Sequence, residues 1–145
     1  MLEACAAIAD GRVKARGNCG LVVSSEGDRV YHVYVNASRG EAYSDDNGTK
    51  LRGYVGYPII SMLMLQGVLP FDEAIAKALS GIPWRRLNEH YRKYALVERE
   101  VKRIAESRGV PASRVDAYIR SVLSALSRIR LRLVSLPLEC LAASY

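Results

Sequence analysis

The chain has 145 residues, half of them apolar, with a formal charge of +6. That length predicts one domain spanning 1–145, and the apolar share excludes a disordered chain. No apolar run reaches membrane-span length, and MLEACAAIAD carries acids where a secretory leader needs positive charge, so a cytoplasmic protein with no membrane contact is expected.

The charge is unevenly placed. Residues 1–83 hold 8 basic and 9 acidic side chains, whereas residues 84–145 hold 13 and 6. A basic half of this kind favours a polyanionic partner.

In chain order, Leu2–Ala9 predicts a short helix ended by Asp10-Gly11, and GRVKARGN leads into strands. Leu21–Val23, a turn at Glu26-Gly27-Asp28, and Arg29–Val35 carry the β-branched and aromatic residues of strands. Neither face of Arg29–Val35 is strongly polar, so that strand is expected to be central. Glu41–Ser44 predicts another strand. Asp46-Asn47-Gly48 is a hairpin signal, because Asn-Gly suits the two positive-φ positions of a type I′ turn; Thr49–Val55 would return.

From Tyr57 the period changes. Pro58–Gln66 is apolar nearly all round and predicts a buried helix closed by Gly67, with Met62 and Met64 as core. Asp72–Leu79 is another helix, with acids in its first turn. Trp84–Arg108 is the longest helical pattern, with Trp84, Leu87, Tyr91, Tyr94, Val97, Val101 and Ile104 on one face. Glu89–Lys93 and Glu98–Lys102 are spaced as i,i+4 pairs along it.

Pro111 opens a helix to about Arg128. Ile129–Leu133 alternates like a strand, yet Leu126, Ile129, Leu133 and Leu136 also continue the helical stripe; the stripe favours helix up to Pro137. The tail, 138–145, would pack through Leu138 and Leu141 or fray. The fold class is therefore α+β: an N-terminal antiparallel meander of three to four strands (1–56), packed against about four C-terminal helices (57–137).

Cys5, Cys19 and Cys140 fit no zinc or redox spacing, and His32 and His90 are the only imidazoles, so no metal or cofactor is expected. The thiols read as buried and free, with a disulfide as the alternative. The preference for Arg among 21 basic residues, with nine Tyr, is hyperthermophile-like, and intracellular disulfides do occur in such organisms.

Catalysis finds little support. His90, Tyr91 and Lys93 are neighbours on one pattern and do not converge, Asp45-Asp46 is first a turn former, and no nucleophile elbow or phosphate loop is present. The run YPIISMLMLQGVLP before a basic Trp/Tyr helix resembles the non-catalytic N-terminal half of archaeal tRNA-splicing endonuclease subunits. The Tyr, His and Lys signature of that family's nuclease half is not recognisable, and no role is carried over.

The expected function is non-enzymatic binding of an RNA or DNA backbone, or an accessory subunit, through Arg85, Arg92, Lys93, Arg99, Lys102 and Arg103, with Trp84, Tyr91 and Tyr94 as stacking platforms. The alternative is a protein–protein interaction module or a homodimer using the apolar stripe of Pro111–Leu136.

Overall fold

A computed structural model describes residues 1–52 and 55–145. The fold is α+β. Helix α1 (Leu2–Ala9) leads into the strands β1 (Val13–Arg16), β2 (Cys19–Val23), β3 (Val30–Asn36) and β4 (Glu41–Ser44), which form an antiparallel meander. Helices α2 (Asn47–Arg52), α3 (Tyr57–Leu65), α4 (Glu73–Ala78), α5 (Trp84–Tyr91), α6 (Tyr94–Ser107) and α7 (Ala112–Leu126) follow. A two-residue strand, β5 (Arg132–Leu133), then pairs parallel to β4, and the short helix α8 (Leu138–Leu141) comes last.

Alternation decides which face of the sheet meets the helices. Val22, Val33, Val35 and Ala42 are fully buried on one face and pack with Ile59, Met62 and Leu63 of α3. Gly20 lies opposite Val33 in that face. A Cβ built there would lie 2.6 Å from Met62 Sδ, so the missing side chain is what lets α3 sit close. Asp72 caps α4, its carboxylate accepting the Ile75 N–H at 3.1 Å.

Several expectations are corrected. Asn47-Gly48 does not turn a hairpin but opens α2. Asp46 is buried, takes the Ser44 hydroxyl and accepts the Thr49 N–H at 3.2 Å, acting as a helix cap. Capping therefore outweighs the Asn-Gly turn signal. Of the expected returning strand Thr49–Val55, residues 49–52 are helical and 53–54 lie outside the described residues.

The place beside β4 is taken instead by β5, ninety-one residues later. The Arg132 N–H reaches Gly40 O at 2.7 Å and the Val134 N–H reaches Ala42 O at 2.9 Å. Helix α7 thus stops at Leu126 and does not run on to Pro137. The backbone groups along β4 gain partners, and Ile129 and Leu131 turn onto the core.

Trp84–Arg108 is broken. Arg92 adopts a left-handed conformation (φ 59°) that ends α5, and α6 starts afresh after Lys93. The corner lets Trp84 and the Val97, Val101, Ala105 face reach one core from two directions, while Tyr94 is left 64% exposed.

The tail neither frays nor packs through its leucines. Leu138 and Leu141 are 82% and 64% exposed, and Cys140 is the buried member, bonded to Cys19. The reading of free thiols holds for Cys5 alone. The return along β4 carries the chain over the outer sheet face, where Cys19, Tyr34 and Cys140 form a small cluster with Tyr43, Val134, Leu136 and Ala143.

Candidate nucleic-acid interface

Helices α6 and α7 form an antiparallel hairpin closed by the turn at Gly109. They have 14 and 15 residues, so at a common rise per residue they are of nearly equal length. Lys102 and Asp116 tie the pair together at 2.9 Å near the closed end. Lys93, preceding α6, and Arg128, following α7, lie at the ends of the two helices away from that turn, the open end of the hairpin.

Cations at and near the closed end are matched. Arg103 grips Glu100 with two hydrogen bonds of 2.6 and 3.0 Å, and Arg114 grips Asp72 at 3.1–3.2 Å. Arg108 donates to the carbonyls of Ala78 and Ser80, covering the last turn of α4. Lys102 also lies 3.6 Å from Glu98. Hydrogen bonding to Asp116 holds the Lys102 ammonium above its ordinary pKa, and the Arg103 guanidinium holds the Glu100 carboxyl below its own.

Of the six predicted contact residues, Arg85, Lys102 and Arg103 are engaged in this way. The Arg85 guanidinium meets both oxygens of Asp28 at 2.7 Å, which keeps the Asp28 carboxyl far below the usual carboxylate range. Arg92, Lys93 and Arg99 are exposed and pair with no carboxylate among the described residues. The expected Glu89–Lys93 pair is not formed, because the corner at Arg92 lies between its members.

The structure adds cations that the six did not include. Arg120, on the solvent side of α7, and Arg128 and Arg130, beyond its end, are exposed and likewise without a carboxylate partner among the described residues. Arg128, Arg130 and Arg132 carry the basic run from the hairpin to the sheet edge. There Glu41 receives both Arg132 (3.1 Å) and Arg39 (3.5 Å). The positions of Arg120, Arg128 and Arg130 were visible as charge in the sequence; that they stay unmatched among the described residues was not.

The aromatic platforms separate. Trp84 is buried, whereas Tyr91 lines a groove of about 490 Å³ along α6 with Leu96, Arg99, Glu100, Lys102 and Arg103. Tyr94 stands outside that groove, its hydroxyl pKa raised by partial burial and by Glu98 and Glu3. His90 packs edge-on against Tyr91, and His32 Nδ1 lies 3.3 Å from Asp45 Oδ2 on the outer sheet face. Among the described residues no three His, Cys, Asp or Glu side chains cluster to hold a metal ion, and no helix is long and apolar enough to cross a membrane.

The stripe of α7 is turned inward. Val115, Tyr118 and Val122 are buried in this chain's own core, and Leu123 is the large apolar residue it leaves half-exposed.

No curated protein and no solved structure matches the chain. A family model described as "Uncharacterised conserved protein UCP014422" matches residues 1–132, from α1 through the first residue of β5, and the chain belongs to that family.

Proposed function

We propose that the chain is a non-enzymatic protein or accessory subunit that binds the backbone of RNA or DNA at the open end of the α6–α7 hairpin. The observation that carries this reading is the sorting of charge. Arg92, Lys93, Arg120, Arg128 and Arg130 face solvent without carboxylate partners among the described residues, while the cations near the closed end are paired. A cation held by a carboxylate gains less from a phosphate than a free one, so the free set is the natural footprint. Contacts of this kind position a backbone and read no base sequence.

Fluorescence anisotropy with a labelled single-stranded oligonucleotide, titrated at several salt concentrations, tests the reading. Neutralising about five phosphates predicts a loss of affinity on the order of a hundredfold between 50 and 200 mM salt. No binding at the lower salt rejects it.

A second reading, docking onto a partner protein or a second copy, is favoured by α8, whose Leu138 and Leu141 project into solvent. The buried stripe of α7 is not available for that purpose. A cytoplasmic setting in an organism living hot fits either reading. Its support is the arginine-rich ion pairing together with the Cys19–Cys140 bond.

A further inference from the structure

Residues 134–145 rest on the outer face of the sheet with few non-covalent attachments. Their apolar cluster is small and separate from the main core. Backbone and side-chain bonds across to the sheet are the Val134 N–H to Ala42 O, at 2.9 Å, and the Arg16 guanidinium to Ser144 O, at 3.3 Å. Both leucines of α8 face away. What fastens the segment is the bond from Cys140 to Cys19, at the start of β2. A cleft of about 460 Å³ opens beside that bond, lined by Arg16, Gly17, Cys19, Glu139 and Ala142.

We propose that the Cys19–Cys140 disulfide is a redox-sensitive latch, opened by a dithiol reductant entering this cleft, and that its opening loosens the basic run Arg128–Arg132 from the sheet edge. One reductant thiolate attacks Sγ of Cys19, the cysteine of the pair that belongs to the cleft lining and is itself 5% exposed. The sulfur–sulfur bond breaks, and its electron pair leaves on Cys140 Sγ, which takes a proton. The reductant's second thiol, once deprotonated, attacks the mixed disulfide and releases Cys19 as the second protein thiol. The protein disulfide is reduced, and the dithiol is oxidised to its own disulfide. Arg16, which lines the cleft and donates to Ser144 O, offsets the charge of Glu139 there as the thiolate approaches.

Release matters because β5 is only two residues long. With the far end of the segment untied, Arg132 and its neighbours are kept at β4 by the Arg132-to-Gly40 and Val134-to-Ala42 backbone bonds and by the ion pair to Glu41. The consequence for binding rests on the proposed polyanion site; the latch itself does not.

The test compares the oxidised full chain, the same chain treated with dithiothreitol, and the variants Cys140→Ser and Cys19→Ser. Alkylation and mass measurement count the thiols, hydrogen exchange reports on residues 134–145, and oligonucleotide anisotropy reports on the basic run. Reduction is expected to raise the thiol count of the wild-type chain from one to three, each variant carries two, and opening should speed exchange in 134–145 by at least tenfold. The main-core strand β3 should stay protected through Val33 and Val35, and oligonucleotide affinity should fall several-fold. Continued slow exchange in 134–145 after reduction, or in both variants, overturns the latch. Opening with unchanged affinity overturns the coupling to the basic run. An oxidised chain that binds no oligonucleotide rejects the proposed function and the coupling with it, while the exchange data still decide the latch. If the variants do not fold, the dithiothreitol-treated wild-type chain gives the same readout.

Discussion

The two ends of the α6–α7 hairpin are built from the same residue types and are put to different uses. Toward the closed end, Lys102, Arg103 and Arg114 each meet a carboxylate and Arg108 caps α4. At the open end, Arg92, in a left-handed conformation, and Lys93, extended, form a corner, and Arg128 leaves the helix for the sheet edge; none of the three has a carboxylate partner among the described residues. A lysine or arginine count does not separate the ends, because what differs is whether the fold supplies a counter-charge. Exposed ion pairs contribute at most about 1 kcal/mol each. The closed end is thus fixed in place by many small terms, and the open end retains its charge for a partner.

The largest expected effect that breaks this comparison is on binding. Replacing Lys93, Arg120 and Arg128 together by Glu should lower oligonucleotide affinity at least a hundredfold at moderate salt, as anisotropy titrations read it. The same reversal of Arg103 and Arg114, with Glu100 and Asp72 still present, should lower affinity by less than threefold. Equal losses at the two ends would erase the distinction.

Next in size is the disulfide, which separates stability from charge. It closes a loop spanning 121 residues, and chain entropy assigns such a cross-link about 5 kcal/mol of stabilisation. Guanidinium unfolding of oxidised and reduced protein measures the difference, which native strain and residual structure would reduce.

A smaller effect makes the two properties move in opposite directions. Arg92→Gly relieves left-handed strain of about 1–2 kcal/mol, which exceeds the gain in unfolded-chain freedom, and should stabilise the fold by about 0.5–1 kcal/mol. It also removes one free cation, reducing the slope of log affinity against log salt by roughly 1. Thermal melts and salt titrations on one variant show both.

The smallest effect is a pH dependence confined to matched groups. The Glu100 carboxyl is held below its ordinary pKa of 4.5 by Arg103, so its contribution is present above that value and is lost as pH falls through the folded-state value. Asp28, held lower still by Arg85, loses its contribution at more acid pH. Stability measured from pH 6 downward should therefore fall first for the Glu100 pair, and Glu100→Gln should flatten that part of the curve.

Local signals made much of the fold legible. Glu41–Ser44 alternates and is a strand, Asp10-Gly11 ends α1, and Asp72 caps α4 as its position before Ile75 suggests. What stayed hidden depends on distant parts of the chain. The corner at Arg92 carries neither glycine nor proline, and only the burial of Trp84 and Val97 on one core explains it. The strand β5 pairs Arg132 with Glu41, and two alternating residues cannot announce a partner that far away. Cys19 and Cys140 are likewise brought together by the return along β4.

The candidate site divides the same way. Every cation was visible as a residue, and the Arg103–Glu100 match lies within reach of i,i+3 spacing. By contrast, Arg85 finds Asp28 across 57 residues and Arg114 finds Asp72 across 42. Sorting free from matched charge therefore needs the tertiary structure.

Chemical footprinting reads the comparison most directly. Amine acetylation and arginine-specific labelling are carried out with and without saturating single-stranded oligonucleotide at low salt, followed by mass mapping. Lys93, Arg120 and Arg128 are expected to become protected, while Lys102, Arg103 and Arg114 keep the reactivity they have in the free protein. Protection spread evenly over both ends of the hairpin, or absent from the open end while the oligonucleotide is bound, would contradict the account.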